Sequence, residues 1–166
     1  RSNADSDEAR EVLQTLRDTV HLSSTTKLPD LPALLGEWRM ETQERVEIAH
    51  ARLHWHVNIS EDEVKISSTQ VMLLRSFLRE TISNALKHAQ PENVFVRIEQ
   101  SPEWLRMSVG NDGCVTAPEA WKLGFGLNHL RERLARAGGK LEMARRETDG
   151  RGIIIEVLAV LHLVHK

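Results

Sequence analysis

The sequence predicts an α/β (α+β) two-layer sandwich: a mixed, largely antiparallel sheet with helices on one face, preceded by a short N-terminal helix. Three observations predict it. Val94, Val96 and Ile98 alternate with Phe95, Arg97 and Glu99, and Leu105, Met107 and Val109 alternate again after Ser101-Pro102, which makes a hairpin. Val71, Leu74, Leu78, Ile82, Ala85 and Ala89 form one continuous apolar flank, the mark of a long helix packed on a layer beneath it. The order helix, strand, helix, strand, strand, loop, helix, strand, strand then fits two layers around one core.

Residues 5–22 read as a helix whose Ala9, Leu13, Leu16 and Val20 recur at spacings of four, three and four, the seam of a helix that packs on a partner helix. Such a helix is too short to be stable alone. The polar, proline-bearing run from Ser23 to Pro32 is a connector and a candidate domain boundary. A second helix is expected from about Pro32 to His50, with Leu35, Trp38 and Val46 on its apolar side. Arg52 to Val57 alternates as a strand, and Asn58 to Lys65 is an acidic loop. Ser67 or Ser68 is suited to cap the long helix, which ends near Ala89 where Gln90-Pro91-Glu92 stops it. After the hairpin, Gly110 to Gly126 is a glycine-bearing loop. Leu127 to Ala137 is a helix with Leu127, Leu130 and Leu134 on one side, ended by Gly138-Gly139. Leu141 and Met143 open a strand, Asp149-Gly150 is a hairpin turn, and Gly152 to Leu161 is the last strand.

The 166 residues suffice for one domain and a modest appendage. A net charge of −2 gives no broad basic footprint, so nucleic acid is not an expected partner. One cysteine, Cys114, excludes an intrachain disulfide and fits a reducing compartment. No apolar run approaches the ~20 residues that span a membrane. Ser2-Asn3-Ala4 reads as a cloning scar (residues 1–4), so the chain is expected to be a piece of a longer parent.

The polar side of the long helix carries the chemistry. At about 100° per residue, Glu80, Asn84, Lys87 and His88 share one flank, opposite the apolar one. These groups suit a metal-bound polyphosphate. The Asn oxygen suits a hard cation, the Glu can orient a water or hydroxyl, and the Lys is a point charge for phosphate. A solvated helix face with ordinary ion pairing would look much the same. Asn111-Asp112-Gly113 after a strand reads by itself as a turn. Gly124-Phe125-Gly126 opens a helix, where backbone N–H groups and the helix dipole favour an anion.

In this order and spacing the three segments resemble the GHKL ATPases, the superfamily of gyrase, heat-shock chaperone, histidine kinase and mismatch-repair ATP-binding domains. Within it the chain is similar to bacterial sensor histidine kinases of the nitrate-sensor type, over about residues 34–161. Glu80-x-x-x-Asn84-Ala85-x-Lys87-His88-Ala89 looks like the N box of that family. Asn111-Asp112-Gly113 looks like its G1 box. Gly124-x-Gly126-Leu127-x-x-Leu130-Arg131-Glu132-Arg133 with Gly138-Gly139 looks like its G2 box and following helix. The resemblance implies the GHKL fold and, in residues 28–166, a catalytic domain that binds ATP and Mg²⁺ and passes the γ-phosphoryl to a histidine. Asn84 would hold Mg²⁺, Lys87 and His88 would meet phosphate, and Glu80 would polarise the attacking group or a metal-bound water. Asn111 stands where the family usually has the Asp that accepts from the adenine amine; an Asn keeps an acceptor oxygen and can offer its own NH₂ to a ring nitrogen. An alternative register gives that role to Asp112. Gly113 would let the backbone pass the base, and Gly124, Gly126 and Leu127 would close the phosphate side, with residues 114–123 as a lid. Val115 departs from the usual second glycine of the G1 pattern.

The acceptor histidine is not found here: His21 lacks acidic neighbours, so residues 5–27 resemble the end of a dimerisation helix and its linker. The implied partners are the dimerisation domain that bears the histidine and a response regulator. The parent would be a homodimer, cytoplasmic in this part and anchored in the bacterial inner membrane, and this piece a monomer. Two rivals stand: an anti-sigma-type serine kinase of the same superfamily, and a degenerate, non-catalytic interaction module. Of the remaining residues, His54 and His56 would share a strand face without a third metal ligand, Cys114 reads as a small buried thiol, and Trp38, Trp55, Trp104 and Trp121 read as packing.

Overall fold

The computed structural model describes residues 10, 12–16, 30–60, 66–113, 125–148 and 152–163. The elements are α1 (Leu31–Ile48), β1 (Arg52–Asn58), α2 (Ser68–Asn84) continued by a π-turn (Ala85–Ala89), β2 (Asn93–Gln100), β3 (Trp104–Asn111), α3 (Phe125–Arg136), β4 (Gly139–Thr148) and β5 (Gly152–His162). Residues 10 and 12–16 are helical as well. The expected residues Cys114, Val115, Trp121 and Gly124, the 149–150 turn, and His21 lie outside the described residues.

The sheet runs β1-β2-β3-β5-β4. β1 is parallel to β2, with α2 in the connection between them, and the other three pairings are antiparallel. The mixed, largely antiparallel sheet expected from the alternation is therefore present. Its register sets Val96 beside Val109, Met107 beside Ala159 and Leu141 beside Ala159, so one face is largely apolar. Those residues form one core with Leu35, Trp38 and Val46 of α1, Val71, Leu74, Phe77, Leu78 and Ile82 of α2, and Leu127, Leu130 and Leu134 of α3. The opposite face of the sheet carries His54, Phe95, Arg97, Arg106 and Glu156.

The helix ends follow local rules. Ser67 caps α2: its hydroxyl accepts from Gln70 N at 3.1 Å while Gln70 Oε1 accepts from Ser67 N at 3.0 Å, a complete capping box. At the end of α1, His50 N donates to Glu47 O and Ala51 N to Val46 O, with His50 left-handed at φ 59. Two threonines that the apolar pattern omits are buried, and each satisfies its hydroxyl on a carbonyl four residues back: Thr42 on Trp38 O and Thr81 on Phe77 O, both at 2.7 Å. Arg79 pairs with Glu41, and Arg45 Nη2 donates to Ser83 Oγ at 2.6 Å, which ties α1 to the last turns of α2. Trp38 is in the core as expected, Trp55 is half-buried, and Trp104 lies under the Arg106 guanidinium at 4.8 Å.

The sequence expectation of one straight α-helix to Ala89 needs correction. From Ala85 the helix winds as a π-turn and ends at left-handed Gln90, φ 47 and ψ 56. A turn bonded i→i+5 advances through a smaller angle per residue. His88 therefore comes closer to line with Asn84, and Lys87 falls further to the side, than 100° steps would place them.

Candidate functional site

The polar flank of α2 begins with Glu80 and Asn84, both half-buried, one turn apart. Lys87 and His88 follow on the π-turn and are exposed. A carboxylate and an amide oxygen thus stand in the partly sheltered half, and the cationic side chains at the rim.

α3 closes one side. Leu127, Leu130 and Leu134 anchor it in the core, which lays its first turn across α2. Gly126 lies directly against the Glu80 carboxylate: a Cβ there would meet the end of that side chain and make it swing aside. The contact sets an anionic group beside a helix N-terminus, a favourable match of charge and dipole. Leu127 is 5% exposed, so what it can offer a ligand is its backbone N–H.

The end of β3 closes the other side. Gly113 has φ +100, and a Cβ there would strike the Ala89 carbonyl at the end of the π-turn. The protein's own backbone thus accounts for this glycine. Asp112 is fully engaged: Oδ1 accepts from Glu92 N and Asn93 N, each at 2.8 Å, and Oδ2 accepts from Asn93 Nδ2 at 2.7 Å. It clamps the start of β2. Asn111, 8% exposed, lies on the helix-covered face of the sheet opposite Ile155. Its Nδ2 donates to Asp112 O at 2.7 Å. A carbonyl only accepts, so this bond fixes the amide flip and leaves Oδ1 as the group offered to a ligand. One of the two N–H donors of this NH₂ is thereby engaged by the backbone.

Among the described residues no three His, Cys, Asp or Glu side chains gather as a metal cage. Asn84 with Glu80 one turn earlier suits a cation that brings most of its ligands with it, as Mg²⁺ on phosphates does. His54 is stacked on Phe95, ring centroids 4.7 Å apart, and bonded to Asn93 Oδ1 at 2.9 Å. Sequence reasoning missed the Asp112 clamp, the Asn93–His54 bond and the Glu80–Gly126 contact; each joins residues far apart in the chain and leaves no local signal.

The described residues include no helix long and apolar enough to cross a membrane. Residues 69–162, more than half the chain, match the family of histidine kinase-, DNA gyrase B- and HSP90-like ATPases. The chain is 31% identical over 138 residues to the signal transduction histidine-protein kinase/phosphatase UhpB of Salmonella typhimurium, covering 83% of this chain and 26% of that protein. It is 30% identical over 91 residues to the nitrate/nitrite sensor protein NarX of Escherichia coli, 54% of this chain and 15% of that one. It is 29% identical over 150 residues to the sensor histidine kinase YxjM of Bacillus subtilis, 86% of this chain and 34% of that one. The chain therefore spans about a third or less of these relatives. Among solved structures, the catalytic domain of histidine kinase ThkA superposes with a TM-score of 0.64 at 17% identity, covering 81% of this chain and 93% of that one. The histidine kinase domain of the Erythrobacter litoralis blue-light activated kinase gives 0.62 at 23% identity, covering 92% and 72%. The fold is that of histidine kinase catalytic domains, and the chain belongs to the family of histidine kinase-, DNA gyrase B- and HSP90-like ATPases.

Proposed function

We propose that this chain is the ATP-binding catalytic domain of a sensor histidine kinase, and that it transfers the γ-phosphoryl of ATP to a histidine on a dimerisation domain. The observation that carries the reading is convergence. Gly126 against Glu80 and Gly113 against the Ala89 carbonyl bring two distant segments, the start of α3 and the end of β3, to the polar flank of α2 and to its end. Asn111 Oδ1 would accept from the adenine amine, a bond that selects adenine over a base with a carbonyl there. Asn84 would present its amide oxygen to Mg²⁺, and Lys87 and His88 would face the phosphates from the rim. The first turn of α3 would offer its N–H groups to the same phosphates. When bound, Mg²⁺ neutralises phosphate charge; the chain contributes mainly alignment. Glu80 would take the proton that the acceptor imidazole loses as its nitrogen bonds to phosphorus and ADP leaves. The relatives are named as histidine kinases, which favours a histidine over a serine acceptor.

Residues 5–27 are read as the end of the dimerisation helix and its linker. Val12, Leu13 and Leu16 are each more than half exposed in the helical stretch, as a helix awaiting its partner would be. The parent would then be a homodimer with a response regulator as its downstream partner. A cytoplasmic site fits a reaction that needs ATP, in a parent anchored to the inner membrane.

A thermal shift tests the reading. A non-hydrolysable ATP analogue with Mg²⁺ at 100 times its Kd should stabilise the chain by about 2.7 kcal/mol. The guanine analogue at the same concentration should do far less. No stabilisation by either nucleotide would refute the proposal.

A further inference from the structure

The bonds around Asp112 reach a residue that the nucleotide reading does not use. An ionised carboxylate only accepts, so the 2.7 Å contact of Asp112 Oδ2 fixes which end of the Asn93 amide is nitrogen. Asn93 Oδ1 must then face His54 Nε2, 2.9 Å away. An amide oxygen cannot donate, so Nε2 of His54 carries a proton. The ring is held for this by its stack on Phe95, with an interplanar angle of 16°. His54, Asn93 and Phe95 lie on the open face of the sheet, because Val94 and Val96 point into the core. Asn111 lies on the covered face. The register sets Asp112 opposite Asn93, so the chain His54–Asn93–Asp112 runs along the open face at the end of the sheet and reaches Asn111 on the covered face through the backbone. Asp112 N also donates to Asn93 O at 3.2 Å, so backbone and side chain pull the same segment to the start of β2.

We propose that His54 is a positioning residue for the nucleotide site: its Nε2–H orients Asn93, Asn93 orients Asp112, and Asp112 fixes the segment that carries Asn111 and Gly113. The geometry stands by itself; the consequence for ligand binding rests on the function proposed above. Two substitutions separate the parts of the His54 side chain. His54→Phe keeps a ring for the stack and removes the donor. His54→Gln keeps a donor and removes the ring.

The test is nitrogen-15 NMR of the whole chain with each variant, followed by calorimetry with the Mg²⁺-bound ATP analogue. A protonated Nε2 on His54 is expected in the wild type. His54→Phe should move the backbone amide signals of Asn111 and Gly113 and weaken analogue binding about fivefold, the scale of one ordinary hydrogen bond. His54→Gln should restore the affinity to within about twofold, which a loss of packing alone would not allow. An unprotonated Nε2, or unmoved Asn111 and Gly113 signals in His54→Phe, would overturn the inference. If the wild type binds no nucleotide, the proposed function fails, and the positioning claim is decided by the amide signals and the protonated nitrogen alone.

Discussion

The two halves of the long helix α2 follow different rules. From Val71 to Leu78 it buries Val71, Leu73, Leu74, Phe77 and Leu78, starts on a complete capping box and keeps regular α geometry. From Glu80 onward its outer flank turns polar and half-buried, and past Asn84 it abandons i→i+4 bonding for a π-turn. The first half is set by packing, where straightness keeps the apolar stripe on the sheet. The second half meets two glycines from distant segments, Gly126 against the Glu80 side chain and Gly113 against the Ala89 carbonyl at the helix end. π-turns are rare inside regular helices and recur where a helix serves a site. Packing and the candidate site thus occupy successive parts of one element, and the proposed function expects them to break separately.

The largest expected effect lies in the packing half. Phe77→Ala should cost about 3–5 kcal/mol in urea denaturation, because Phe77 is fully buried between α2 and the sheet. The affinity of the remaining folded protein for ATP analogue should not change. Gly113→Ala comes next: it forces a β-carbon into a left-handed position and onto the Ala89 carbonyl. A cost of about 2 kcal/mol or more in folding is expected, together with weaker nucleotide binding, since both sides of that contact belong to the site. Asn84→Ala should reverse the pattern of Phe77→Ala. Folding should change by less than about 0.5 kcal/mol, while Mg²⁺-dependent affinity falls at least about tenfold by calorimetry. Equal losses in both measurements would erase the division proposed for α2. The smallest effect belongs to Asn111→Asp. It installs the residue that the family resemblance expects, yet it removes the Nδ2–H bond to Asp112 O and sets a second carboxylate beside Asp112. Stability should drop by about 1 kcal/mol and affinity should not improve; a clear gain in affinity would show that the orientation of Asn111 is of no consequence.

The fold was largely legible in the sequence because its signals are local. The alternation at Val94–Ile98 and Leu105–Val109 has the period of a strand with one buried face, and those residues are the buried ones. Leu127, Leu130 and Leu134 mark the buried side of α3 in the same way. The candidate site was legible as residue types in a sequence order, not as geometry. Nothing in Ala85–Ala89 distinguishes a π-turn from an α-turn, and the Gly113 that meets the Ala89 carbonyl comes from a distant segment. The engagement of Asp112 depends on Glu92 and Asn93, about 20 residues earlier in the chain. The bond from His54 to Asn93 depends on the parallel register of β1 with β2, which α2 must first bring together. Buried Thr42 and Thr81 were missed because a hydroxyl that bonds its own helix behaves as an apolar group in the pattern.

In the proposed function, the outer flank of α2 from Glu80 onward grips a magnesium-complexed adenine nucleotide between α3 and the end of β3. A crystal structure of the chain grown with Mg²⁺ and a non-hydrolysable ATP analogue tests it most directly. The Asn84 amide oxygen is expected at about 2.1 Å from the metal, the length of an Mg²⁺–oxygen bond, and the adenine amine on Asn111 Oδ1. Nucleotide bound elsewhere, or bound there with the metal out of reach of Asn84 and the base away from Asn111, would contradict it.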